Sequence, residues 1–249
     1  MVRRAMATRP PIPPGPALAG TGRTQSALRG FLALARRETR GFIKVWAQTR
    51  GAPVVTTLLF LAVFVLALGD AKQQVGEIPY LEFLGAGLVM MALAQNAFAN
   101  SSSSLVIMKI QGNSVDLLMA PLPPAALHGG LVAGAALGAL AVAAALQLAM
   151  WPLVGFAIPA PLTVLAFATL GATLMALLGV LAGLWAQKFD QVATVTNFVV
   201  TPLAFLSGTF YSVERLPQPA RAIAHADPMF WMIDGARAGL TGHAEGQTA

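Results

Sequence analysis

Between Leu117 and Gln187 the chain runs through about 70 consecutive residues without an Asp, Glu, Lys or Arg. A soluble domain, in which about a quarter of the residues are charged, has no use for such a run. Crossing the hydrocarbon core of a bilayer takes about 20 apolar residues per helix, so the stretch holds two crossings and a turn. Ala157-Ile158-Pro159-Ala160-Pro161 supplies the turn. The rest of the chain is of the same kind, 56% hydrophobic against 10% charged, with a mean hydropathy of +0.68. The expected fold is an all-α membrane protein, a polytopic helix bundle, and its function must be one that buried helices can perform.

The absence of cysteine excludes disulfides, thiolate metal sites and cysteine nucleophiles. The net charge of +6 does not point to nucleic acid, because ten of the sixteen basic residues precede residue 51, where Glu38 is the only acid. An excess of Lys and Arg before a first span marks a cytoplasmic flank. Residues 1–25, with Pro10-Pro11-Ile12-Pro13-Pro14-Gly15-Pro16, carry too little apolar surface to fold and are expected to form a disordered cytoplasmic tail. No apolar segment follows the early arginines as it would in a cleaved signal peptide. Over 26–50, Leu28, Phe31, Leu32, Ala35, Phe42 and Trp46 fall on one helical face, and Arg29, Arg36, Arg37, Arg40 and Lys44 on another. This pattern predicts an N-terminal interfacial helix with its basic face toward lipid phosphates.

Five spans are expected within 51–212, at about 53–69, 83–100, 129–156, 162–185 and 192–211. The loop from Asp70 to Glu82 is acidic and external. In the second span Gln95, Asn96 and Asn100 precede Ser101 to Ser104. Amides inside a span serve either as hydrogen-bonding glue between helices or as the lining of a wet path. The loop at about 109–124 is polar from Lys109 to Asp116, then apolar up to its prolines. It reads as a short surface helix suited to contact another protein. Gly130, Gly134 and Gly138 recur every fourth residue in the third span, which lets a second helix approach closely. His128, alone at the start of that span, reads as an interfacial residue. The fifth span contains Asn197, Thr201 and Pro202, and proline there permits a bend. Residues 213–249 read as an external segment of two short helices hinged at Asp227-Pro228, of re-entrant type.

Three strings resemble the membrane subunit of type-2 ATP-binding-cassette (ABC) exporters, the small bacterial inner-membrane permeases paired with a separate ATPase. They are Phe83-Leu84-Gly85-Ala86-Gly87-Leu88-Val89-Met90-Met91 with Asn96-Ala97-Phe98-Ala99-Asn100, then Asp116-Leu117-Leu118-Met119-Ala120-Pro121-Leu122-Pro123, then Thr201 to Ser212 with Leu216-Pro217. Asp227-Pro228-Met229 and Asp234-Gly235-Ala236-Arg237 extend the last, and the likeness covers roughly Ala33 to Leu240. The resemblance implies a multi-pass protein of the bacterial inner membrane with a cytoplasmic N-terminus. It implies a coupling helix between the second and third spans, and a pathway formed by two copies. Carried onto this chain, Lys109, Ile110, Gln111, Gly112, Asn113, Asp116 and Leu117 would touch the ABC ATPase subunit. Asn96, Asn197, Thr201 and Phe205 would line a pathway between the second and fifth spans. Relatives usually have Asn-Pro where this chain has Asp227-Pro228. The family's sixth span is missing from these 249 residues, which makes a shortened or partial chain the expectation.

No Gly-x-x-x-x-Gly-Lys-Ser/Thr string occurs, so this chain is expected to bind no cofactor, with ATP and Mg held on the partner ATPase. The other expected partners are membrane lipid, a second copy and a transported glycan, lipid or amphipathic drug. No His-Glu-x-x-His, Gly-x-Ser-x-Gly or paired intramembrane Asp marks covalent chemistry. Two other classes stay open: a membrane-embedded enzyme acting on lipid through Ser101 to Ser104 or His128, and a non-transporting scaffold subunit.

Overall fold

The structure is a computed structural model; it describes residues 28–36, 51–68, 74–75, 78–112 and 123–244. The expected tail 1–25 and the part of the basic helix beyond residue 36 up to residue 50 lie outside the described residues, as do Asn113, Asp116 and Leu117.

The protein is a helical membrane bundle. A short helix α1 (28–36) is followed by α2 (Ala52–Leu68). The main helices are α3 (Tyr80–Ile110), α4 (Pro124–Val154), α5 (Pro161–Trp185) and α6 (Phe189–Leu206). These four are long and apolar enough to cross a membrane. The apolar α2, at 17 residues, is shorter. Two helices follow, α7 (Gln218–Ala226) and α8 (Pro228–Thr241), and among the described residues the only strands are a two-residue antiparallel pairing of β1 (Gln74–Val75) with β2 (Ile78–Pro79).

Helix α3 is the axis of the bundle and packs against α2, α4, α5 and α8. It continues through the polar run that would ordinarily end a span. Ser101 Oγ donates to the Ala97 and Phe98 carbonyls at 3.1 and 3.2 Å, and Ser102 Oγ donates to Phe98 O at 2.7 Å. Hydroxyls satisfied within their own helix can be buried without cost in unpaired groups. Their small side chains then face Gly179 and Gly183 of α5, where a Cβ on Gly183 would lie 2.9 Å from Ser102 O. Close backbone approach at such small-residue seams is the usual way to join helices in lipid. Gly130, Gly134 and Gly138 of α4 are also buried, and Gly130 receives α1: a Cβ there would lie 3.0 Å from Leu34 Cβ.

Helix α6 contains one wide turn. Over Thr196–Val200 the helix is of π type, with Thr201 N–H donating to Thr196 O, directly before Pro202. Proline lacks the N–H and crowds the carbonyl four residues back, so the ladder must be adjusted near it. Beyond α6 the chain turns at Gly208 (φ 76°), runs down α7 to Asp227 and returns along α8. Asp227 shares the wall of a small pocket with Phe98 and Met175, halfway along α3 and α5. The far end of α8 is tied to the α4–α5 turn, where Ile158 and Ala160 N–H donate to Leu240 and Gly239 carbonyls at 3.2 and 3.1 Å. Gly239 permits this, since a Cβ would meet Val164 N at 2.8 Å.

Candidate functional site

Between α2 and α3 lies a cleft of about 450 Å³. On the α2 side it is walled by Pro53, Thr56, Thr57 and Phe60, and on the α3 side by residues from Leu88 to Asn100. Gln95, Asn96 and Asn100 supply its amides. Asn96 Nδ2 donates to Ala92 O at 2.9 Å, which leaves its carbonyl oxygen to face other partners. No lining residue is charged.

Phe210 lines the cleft at the end nearest Tyr80. Its ring stacks on Phe205 at 4.9 Å and on Phe64 at 5.3 Å, with Phe60 tilted against it at 6.4 Å. The backbone beneath is held from three sides. Tyr80 Oη donates to Phe210 O at 3.1 Å, Arg237 Nη2 donates to Gly208 O at 2.7 Å, and Thr209 Oγ1 donates to Ala204 O at 2.8 Å. Arg237 is only 1% exposed, and its guanidinium carbon sits 3.6 Å from the centre of the Phe83 ring. A cation in such a place is stabilised by the ring face and by charge-assisted hydrogen bonding. Thr209 lies directly on Gly87, where a Cβ would come within 3.1 Å of its Cα.

At the opposite end, Lys109 bridges two helices. Its Nζ donates to the carbonyls of Gly183, Leu184 and Ala186 at 3.0, 2.6 and 2.8 Å. These are the orphan carbonyls at the C-terminus of α5, where the helix dipole favours a cation. Helix α3 stops one turn later at Gly112 (φ 75°), which opens the 113–122 segment. Ile107 and Ile110 are exposed beside it.

The residues expected from sequence are thus distributed unequally. Asn96 lines the cleft, and Phe205 meets it through Phe210. Asn197 is exposed and Thr201 half-buried on α6, and neither is among the lining residues. Thr56, Thr57, Asn100 and Phe210 line the cleft without having been singled out for it. Asn100 lies one turn after Asn96, and the two threonines are the only hydroxyls of α2, so both signals were present. Within the serine run, Ser101 and Ser102 are not presented as nucleophiles, at 1% and 0% exposure and with their hydroxyls bonded to backbone. His128 Nδ1 is within 2.8 Å of Pro124 O at the start of α4. Among the described residues no group of His, Cys, Asp or Glu could hold a metal.

The family model described as ABC-2 type transporter matches residues 29–241. The inner membrane transport permease YadH of Escherichia coli (strain K12) is 34% identical over 206 residues, covering 83% of this chain and 80% of that protein. Nodulation protein J of Rhizobium leguminosarum bv. trifolii is 28% identical over 240 residues, 90% of this chain and 87% of the relative. Nodulation protein J of Sinorhizobium fredii (strain NBRC 101917 / NGR234) is 31% identical over 192 residues, 74% and 69% of the two chains. No solved structure matches the chain.

Proposed function

Since the chain belongs to the ABC-2 type transporter family, as a membrane permease subunit, we propose that two copies of it form the pathway of an exporter driven by a separate ATPase subunit. The single observation that best supports this is the uncharged cleft between α2 and α3, lined by amides along α3 and by the Phe210 ring. A cavity of this kind inside the bundle, with an aromatic cluster at one end, is what one half of an alternating-access pathway requires.

In this mechanism the Lys109 end is cytoplasmic and the segment that starts at Lys109 docks on the ATPase. ATP with Mg, bound by the ATPase alone, closes that subunit's dimer and pushes on the docked segment. Lys109 carries the displacement to α5, because its ammonium holds the last carbonyls of that helix. The bundle then repacks so that the Phe210 cluster separates and the cleft opens outward. This is a shift between two states, driven by the ATPase preferring one of them. The cargo is a glycan, lipid or amphipathic drug, and the cell membrane concerned is the bacterial inner membrane.

The experiment is co-purification of this chain with its cognate ATPase, followed by ATP hydrolysis in lipid. Ile110→Asp puts a charge on the exposed docking end, and Asp116→Ala removes one from it. Both variants should insert normally and lose stimulation of the ATPase. Full stimulation in both would remove the docking role from this segment.

A further inference from the structure

Asn100 has a hydrogen-bond donor that nothing among the described residues uses. It is 8% exposed, it lines the cleft, and its Nδ2 has no hydrogen-bond partner among them. Buried amide donors are ordinarily satisfied, and one that is not marks the place of an absent acceptor. A packing role alone would have been better served by leucine, which carries no polar group to desolvate.

The surroundings restrict what that acceptor belongs to. One turn away Asn96 turns its own Nδ2 back to Ala92 O, so its remaining polar atom is an acceptor. Thr57, 7% exposed, and Thr56 bring hydroxyls from α2, which can donate or accept. The cleft therefore offers both kinds of hydrogen-bonding partner and no charge. An ionised head group entering it would give up water and meet no counter-ion, whereas a hydroxyl, ether or amide group would exchange water for matched partners. Toward the roof the lining turns apolar, with Leu88, Met91 and Phe60.

We propose that the cleft binds a neutral amphiphile, with a hydroxyl- or amide-bearing head group accepting from Asn100 Nδ2 beside Asn96 and Thr57, and an apolar portion lying toward Phe210. This rests on the pathway reading above and adds the head-group chemistry and the subsite that selects it.

The test uses the full chain in nanodiscs of zwitterionic lipid, with radiolabelled octyl glucoside as a neutral probe. Unlabelled octyl trimethylammonium and octyl sulfate are the charged competitors of equal chain length. Saturable binding is expected, displaced at least tenfold more weakly by either charged compound. Asn100→Leu should weaken probe binding about tenfold or more while its thermal unfolding temperature stays at or above that of the parent, since a buried unpaired donor is removed. Asn100→Ser, which keeps a hydroxyl donor, should recover part of the loss. Equal competition by the charged amphiphiles, unchanged binding in Asn100→Leu, or no saturable binding overturns the proposal. The assay needs no ATPase, so the two readings fail separately. Neutral binding without coupled hydrolysis keeps the subsite and removes the transport role; coupled hydrolysis without it removes only the subsite.

Discussion

The ammonium of Lys109, near the end of α3, lies 2.6 Å from the carbonyl oxygen of Leu184, next to last in α5. Two helices whose connection runs through the whole of α4 are thereby joined at one end by a single side chain. Gly179 and Gly183 bring the same two helices into close contact along their flanks, so α3 and α5 are joined both at one end and along their length.

Replacing Lys109 with Met leaves three helix-end carbonyls without their cation. The expected loss is about 1–2 kcal/mol, the scale of a partly buried charge at a helix C-terminus. Lys109→Arg should restore most of it, since the charge remains. Thermal unfolding in detergent reads both, and an unchanged midpoint in Lys109→Met would show that the three contacts contribute nothing.

Phe210→Ala should open the roof of the cleft. The sequence contains no cysteine, so Gln95→Cys provides a single reporter inside the cleft without background. A membrane-impermeant maleimide added from the Tyr80 side is expected to label the reporter slowly with Phe210 present and severalfold faster in Phe210→Ala. Equal rates would mean that the ring stacks on Phe205 and Phe64 without sealing anything.

Asp227 caps α8, with Oδ1 accepting from Met229 N at 2.9 Å, and it is 2% exposed. Among the described residues its Oδ2 has no hydrogen-bond partner. Asp227→Ala removes the cap and should cost about 1 kcal/mol. Asp227→Asn keeps a good capping oxygen and removes an acid from a buried position, so its stability should equal or exceed that of the parent. Circular dichroism melts at fixed pH separate the two cases, and a loss in Asp227→Asn as large as in Asp227→Ala would mean the charge itself is needed.

The helices were legible in the sequence because lipid imposes a length and a composition on each of them. The helix over Pro161–Trp185 begins within one residue of its expected start and ends where expected. The second helix was harder, since Ser101 to Ser104 resemble a terminus until their hydroxyls are seen returning to the preceding turn. The neighbours of each helix were not legible. The glycine triplet Gly130, Gly134 and Gly138 stands out by its spacing, yet the seam between α3 and α5 is made by Gly179 and Gly183, which sit in a less regular background. Likewise the amide of Asn96 was visible as a lining candidate, but no one-dimensional pattern says whether it faces α2 or α6. Arg237 is the clearest case. A cation is expected at a surface, and its burial depends on an aromatic ring and a carbonyl that lie far from it in the chain.

The wide turn at Thr196–Val200 has a consequence for how this helix tolerates change. A π turn holds one residue more than an α turn closing the same loop, and each residue of an α-helix accounts for about 100° of rotation. Deleting one residue there would let the turn close as ordinary α-helix. The segment beyond would then keep its facing, because the shortened turn closes over the same rotation, and Phe205 would stay against the ring of Phe210. Within these five positions the helix carries a spare residue, so a lost codon there would leave the roof of the cleft in place, whereas the same loss in a regular α turn would wheel that roof round by about 100°.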